Sequence, residues 1–459
     1  MKNVIAAAEF GVAGCARIPL GCGVVVGFCV FAGFGSGGGA MAFPNGRRVA
    51  VVAGCRTPFC KSGTALKDVR AVDLARYAAR ELMERTNLDP AKVDEVIFGQ
   101  VVASPLVPNI AREVSLLPQF PKEIPAFSVN RACASSNQAV TAAHDQIAQG
   151  HADVILAGGA ESLSDIPILA SRRLADILVA ASKARTLGAR LGAFTRIRPR
   201  DLIPVAPAIA EPSTGESMGQ SAEKMAKENR ITRDAQDRWT LRSHQLAAQG
   251  TADGRLTAEI APWLPQRAGG EVVQADNGIR TDTTLEQMAK LRPVFDRRYG
   301  TVTAANSSPL TDGASAVLLM AEDVARALGY EPLAFIRSYA VAAVDPGWQL
   351  LQAPVWAVPK ALERAGIQWK DLGLIEIHEA FASQVLSNLQ GFAAKGWEID
   401  EDIINVMGGS IAIGHPFGAT GGRLVTTLAN EMKRRDVQFG LISVCAQGGM
   451  ASAVVLERR

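Results

Sequence analysis

Cys133 lies in the stretch FSVNRACASSNQA, Phe127 to Ala139, where a short apolar run gives way to a cysteine and then to small residues that lead into a helix-like run. That pattern places the cysteine at or just before a helix N-terminus, where unpaired backbone N–H groups and the helix dipole favour a thiolate, and so a nucleophile. A buried structural cysteine among alanines is the other reading of the same residues. Three more segments carry reactive groups: His378 in HEAFA, and His415 and Cys445 in the glycine-rich GHPFGATGG and CAQGGM. Two cysteines and two histidines could hold zinc, but the segments contain no CxxC or HxxxH pair, so no metal is expected. A nucleophilic cysteine needs instead a base within reach and donors aimed at the developing oxyanion. His415 could take the Cys133 proton, His378 could hold a water or the substrate carbonyl, and Cys445 could move a proton at carbon, as making or breaking a C–C bond requires.

The elements that must position these groups read as a doubly wound α/β chain from Arg47 onward. RRVAVVAG, VDEVIFGQVV and DVILAGGAES have strand patterning, and VDLARYAARELMER and AVTAAHDQIAQ have helical spacing. The last third repeats the plan: SAVLLMA as a strand, VWAVPKALERAG as a helix, LGLIEIHEAF as a strand ending in His378 and DIINVMGG as a strand. The helix RLVTTLANEMKRR and the strands FGLISVCAQGG and ASAVVLER follow. Gly99 and His378 are 279 residues apart, Cys133 and His415 282, a nearly constant offset that predicts a duplication. In both halves the reactive groups fall at strand ends or helix starts, where α/β folds place ligands.

The 459 residues suffice for two or more domains, and 48% apolar with 20% charged residues is the composition of a globular protein. A net charge of +3 gives no ground for nucleic-acid binding. Seven cysteines without a disulfide spacing fit a reducing compartment, and the expected location is cytoplasmic, or mitochondrial in a eukaryote. Residues 1–45 stand apart: an uncharged run from Ile18 to Phe43, rich in glycine and ending near AMA, reads as an export signal, a span, or a segment upstream of a working initiator at Met41. Between residues 166 and 295 the composition shifts. Arg172, Arg173, Lys183, Arg185, Arg190, Arg196, Arg198 and Arg200 accompany Leu174, Ile177, Leu178 and Ala181 at helical spacing, a pattern open to a solvated face, an anionic ligand, a membrane surface or an acidic partner. A charged helical pair follows, with an N-cap at Thr232.

Taken together, NRACASSNQA, GGAES, GTVTAANSSPLTDGAS, HEAFA, NVMGGSIAIGHPFGATGGR and CAQGGM resemble the thiolases, in the right order and over essentially all of Arg47 to Arg459. The resemblance implies a duplicated five-layered α/β/α/β/α core with an inserted loop domain. Its parts would be an N-terminal extension at 1–45, an N-terminal half at 46–165, a loop domain at 166–295 covering the active site, and the remainder with the C-terminal half at 296–459. It implies that Cys133 takes the acyl group as a thioester, that His415 activates it, that Cys445 is the acid/base at carbon, and that the backbone N–H groups of Cys133 and Gln447 serve an oxyanion hole. Many thiolases have Asn at the place of His378 and Gly at that of Gln447. For coenzyme A, a substrate rather than a tightly bound cofactor, the resemblance implies Met218, Arg280, Ala304 and Ser308, with Phe381 lining the acyl or pantetheine tunnel.

HEAFA, STGESMG and the basic insert are most similar to the thiolase subunits of fatty-acid oxidation complexes. That implies cleavage of 3-ketoacyl-CoA, a homodimer or dimer of dimers, and an α-subunit carrying hydratase and dehydrogenase activities, with the insert as a docking or peripheral membrane surface. Acetoacetyl-CoA synthesis is the alternative within the family. A decarboxylating ketoacyl synthase of the same fold class needs no second cysteine, so Cys445 speaks against it. A dead acyl-CoA or lipid carrier would have no use for Cys133, His415 and Cys445 together.

Overall fold

Each strand of the core alternates its side chains between two apolar layers, so both faces of the sheet are covered. Val49 and Val51 join one cluster and Ala50 and Val52 another, and Leu318 and Leu319 divide in the same way. The computed structural model describes residues 46–205, 210–265 and 271–459, and the expectations for residues 1–45 lie outside these. The strands are β1 (Val49–Arg56), β2 (Cys60–Lys61), β3 (Glu95–Gly99), β4 (Ala126–Val129), β5 (Val154–Glu161), β6 (Thr311–Ala321), β7 (Ala334–Ala343), β8 (Leu374–Ile377), β9 (Phe439–Ala446) and β10 (Met450–Glu457).

The duplication is visible in the pairing. The first half runs β4-β3-β5-β6-β1, with β3 parallel to β4 and β5, and β6 antiparallel to β5 and β1. The second half runs in mirror order as β8-β9-β10-β7, with β8 parallel to β9 and β10 antiparallel to β9 and β7. The counterpart of β4 shrinks to a parallel bridge between Ile375 and Ile404. DIINVMGG was expected to form a full strand here, but a 3-10 turn at Glu401–Ile403 and a left-handed Asn405 (φ 48°) cut it short. The second half also opens with β7 rather than with SAVLLMA, which belongs to β6 and closes the first half. The halves join where Ala50 and Val51 of β1 pair with Phe335 and Ala334 of β7.

Five layers result. Helix Ala71–Thr86 covers the outer face of the first half, with Asp73 in its first turn and a left-handed Asn87 at its end. Helices Pro354–Ala365 and Ala382–Ala393 cover the outer face of the second. Between the two halves of the sheet lie Ser135–Ala148 and Thr420–Arg435, whose apolar residues share one cluster with the inner faces of both halves. These two helices approach closely at Gly421, where a Cβ would sit 2.1 Å from Asn137 Oδ1. The central pair begins just after Cys133 and His415, so packing of the duplicated helices brings together residues that are remote in sequence.

Between β5 and β6 the chain leaves the sheet and forms several helices, among them Arg172–Lys183, Leu187–Phe194, Met218–Glu228 and Arg233–Ala252. Thr232 caps the last of these, accepting from Ala235 N at 3.2 Å. In Arg172–Lys183, Ile177 and Ala181 are buried, whereas Leu178 is left exposed. Glu379 fastens Arg233–Ala252 to the core: Trp239 Nε1 and Ser243 Oγ donate to its carboxylate at 3.0 and 2.7 Å, beside Asn405 Nδ2 at 2.8 Å. No helix among the described residues is long and apolar enough to cross a membrane.

Candidate active site

Cys133 sits one residue before the N-cap of helix Ser135–Ala148. The turn that presents it is held by Asn130 Oδ1, which accepts from Ala132 N at 2.9 Å, and by Ser135 Oγ, which accepts from Arg131 N and donates to Ala132 O. Ala132 adopts φ 44°, a left-handed conformation costing a non-glycine residue about 1–2 kcal/mol. That strained residue directly precedes Cys133.

His378 follows the end of β8, and its backbone N donates to Ser443 O at 2.8 Å. His415 follows Gly414, whose φ of 113° suits only glycine, and its backbone N donates to Thr311 Oγ1 at 3.0 Å. The Cys133 sulfur and one ring nitrogen of each histidine lie within 4.8 Å of one another, and the two ring centroids are 4.1 Å apart. Cys445 is buried near the end of β9, in a cluster with Ala222, Met225, Val302 and Ala380, and Met218 and Phe381 pack against it.

Thr420 Oγ1 lies 2.6 Å from His415 Nδ1 and 3.0 Å from Pro416 O. With the hydroxyl proton directed at the carbonyl, Oγ1 accepts from His415 Nδ1–H, and Nε2, buried and without a partner among the described residues, offers a lone pair. Burial, and then the Arg423 guanidinium, push the His415 pKa down to about 3. Burial, then His415 and Arg423, lower His378 well below the usual value.

Sequence reasoning expected a thiolate at the helix start. The structure reverses this: burial pushes the Cys133 thiol up to about 12, against the pull of the backbone N–H groups of Gln447 and of Cys133 itself. Cys445 is also raised well above its ordinary value, by burial and then by the neighbouring Cys133. Burial thus favours the neutral thiols and neutral imidazoles at rest, so a thiolate would form as the sulfur attacks. Alkylation of Cys133 by iodoacetamide is therefore expected to accelerate about tenfold per pH unit across neutral pH, since only the rising thiolate fraction reacts. A flat rate there would reveal a preformed thiolate–imidazolium pair and overturn this reading.

The residues expected to contact coenzyme A divide. Met218 opens a helix capped by Ser217 and packs with Phe381 near Cys445, and Phe381 lies 6.1 Å edge-on from Phe295. Ala304 and Ser308 belong to the loop leading into β6, which Ser308 N ties to Ala380 O at 2.9 Å. Arg280 stands apart: it is exposed, its backbone donates to His244 Nδ1, and its charge acts on Lys61 and His244. A cleft of about 580 Å³ opens beside Gln447, lined by Val101, Val102, Pro105, Leu169 and Met450. The larger groove at Trp369 and Trp397, about 950 Å³, lies on the outer layer and contains none of these residues.

Four polar residues went unnoticed in the sequence. Ser410 meets His378 Nδ1 at 2.9 Å, Thr420 meets His415, and Arg423 reaches Ser410. Glu161, raised to about 7 by burial, accepts from Val101 N, Val102 N and Gly418 N at 3.0 Å each and so ties the His415 loop to the end of β3. The one available signal was their presence as polar residues within glycine-rich segments.

Residues 49–323 match the thiolase N-terminal domain and residues 330–458 the thiolase C-terminal domain. The chain belongs to the thiolase family. Relatives include proteins named 3-ketoacyl-CoA thiolase from Pseudoalteromonas translucida, 49% identical, and Cronobacter sakazakii, 50% identical, each over 90% of this chain and 98% and 97% of theirs. Among solved structures, an acetyl-CoA acetyltransferase of Bacillus anthracis superposes with TM-score 0.80 at 33% identity, covering 90% of this thiolase and 100% of that chain. Human mitochondrial 3-ketoacyl-CoA thiolase in complex with CoA superposes with TM-score 0.77 at 34% identity, covering 90% and 98%.

Proposed function

We propose that this thiolase cleaves 3-ketoacyl-CoA with CoA, giving acetyl-CoA and an acyl-CoA shortened by two carbons. The observation that carries this reading is the gathering of the Cys133 sulfur and the His378 and His415 rings within 4.8 Å, with Cys445 buried alongside. His415 Nε2 takes the thiol proton as the Cys133 sulfur attacks the 3-keto carbon. The backbone N–H groups of Cys133 and Gln447, which already face the sulfur, receive the oxyanion. When the C2–C3 bond breaks, the acetyl-CoA carbanion takes a proton from Cys445, and a second CoA thiol then releases the acyl group from Cys133.

Residues 166–295 act in this reading as a loop domain over the site, bringing Met218 to the pantetheine channel, with Phe381, Ala304 and Ser308 on the core side and Arg280 at the nucleotide phosphates. CoA is then a substrate, with no tightly bound cofactor. The two-helix excursion at 172–194 leaves Leu187 and Leu191 exposed, at 72% and 60%, beside several arginines, which supports contact with an α-subunit or a membrane surface. A homodimer and a cytoplasmic location complete the reading.

CoA-dependent loss of 3-ketoacyl-CoA absorbance across short to long chains tests it. Turnover on substrates longer than acetoacetyl-CoA is expected. Activity confined to acetoacetyl-CoA would favour the acetyl-transferring alternative, and no cleavage at any length would sink the proposal.

A further inference from the structure

We propose that Ser410, gripped by Arg423, is a positioning residue that fixes His378 as the Nε2–H tautomer and so makes it a hydrogen-bond donor to the substrate carbonyl. The inference rests on the thiolytic reading and adds a residue to it. A serine hydroxyl has one proton and two lone pairs, and a guanidinium can only donate. Arg423 Nη2 donates to Ser410 Oγ at 3.1 Å, while Nη1 is anchored by Glu376 Oε2 at 3.1 Å, so one lone pair of the hydroxyl is occupied by a group that cannot reverse its role. Ser410, Arg423 and His378 are all fully buried, which keeps bulk water from rearranging the chain. Among the described residues, the recorded partner left for the Ser410 proton is His378 Nδ1, at 2.9 Å.

His378 Nδ1 therefore accepts, and the ring carries its hydrogen on Nε2. Among the described residues that atom is buried without a partner, as expected of a donor awaiting a substrate oxygen. His415, whose ring centroid lies 4.1 Å away, takes the complementary role in the thiolytic reading, with Thr420 Oγ1 at its Nδ1 and Nε2 as the base.

The direct test is 15N NMR of the full-length protein labelled at the histidine rings, with His378→Asn identifying the His378 signals. The wild-type spectrum should show His378 with Nδ1 unprotonated and Nε2 protonated, and His415 with the reverse. This readout needs no turnover and no variant at Ser410. In Ser410→Ala, kcat should fall about 10- to 100-fold with KM unchanged, the scale on which ligand-orienting partners act. In a His378→Asn background, the same Ser410→Ala change should have no further effect.

A wild-type His378 protonated on Nδ1 would overturn the assignment. So would an equal loss from Ser410→Ala in both backgrounds, which would mark Ser410 as a purely structural part of the GGSIAIG loop. A wild-type protein with the expected tautomers and no thiolytic activity would overturn the functional reading, and with it the purpose assigned to the donor. The two failures are therefore distinguishable.

Discussion

Cys133→Ala is expected to reduce CoA-dependent cleavage of 3-ketoacyl-CoA by about 10⁴-fold or more, the usual scale for loss of a covalent nucleophile. At about 1.4 kcal/mol per decade this is roughly 5–6 kcal/mol of lost transition-state stabilisation. Among the described residues the other thiols are poorly placed to take over, since Cys55 and Cys60 are buried and Cys445 lies buried in an apolar cluster of its own. Truncation to alanine removes one sulfur and leaves the Asn130 and Ser135 contacts of the turn in place, so the fold should survive. Peptide mass spectrometry after incubation with 3-ketoacyl-CoA, without free CoA, should show an acyl group on wild-type Cys133 and none in the variant. Turnover within tenfold of wild type in folded Cys133→Ala would refute the acyl-cysteine route.

A large part of this arrangement was legible in the sequence because its signals are local. Strand alternation at RRVAVVAG, helical spacing at VDLARYAARELMER and the near-constant offset between the halves describe periodic backbone, which apolar patterning reports directly. The left-handed turn at Asn405 is not periodic, and it reduces DIINVMGG to a bridge. Protonation was the least legible. A cysteine before a helix promises a thiolate, but burial acts on Cys133 more strongly than the nearby N–H groups, and burial depends on packing between the halves. The direction in which Ser410 sends its proton is likewise invisible until Arg423 is in place.

Cys445→Ala should separate the two halves of the chemistry. The variant keeps Cys133, His415 Nε2 and the backbone donors, so acyl transfer from an ordinary acyl-CoA to Cys133, which moves no proton at carbon, should proceed near the wild-type rate. Breaking or making the C–C bond does require that proton, and the thiol raised well above its ordinary value by burial and by Cys133 is protonated at neutral pH, the form needed to quench a carbanion. Cleavage and condensation should therefore fall together, by about 10²–10⁴-fold, the range for loss of a positioned acid/base. The measurement pairs mass-spectrometric acyl loading of Cys133 with exchange of the acetyl-CoA methyl protons into deuterated solvent, a reaction that requires only the carbon base. Loading retained with methyl exchange abolished assigns Cys445 to carbon. Equal loss of both in a folded variant would instead make Cys445 a support for the Cys133 site, and the proton carrier would have to be sought among the histidines.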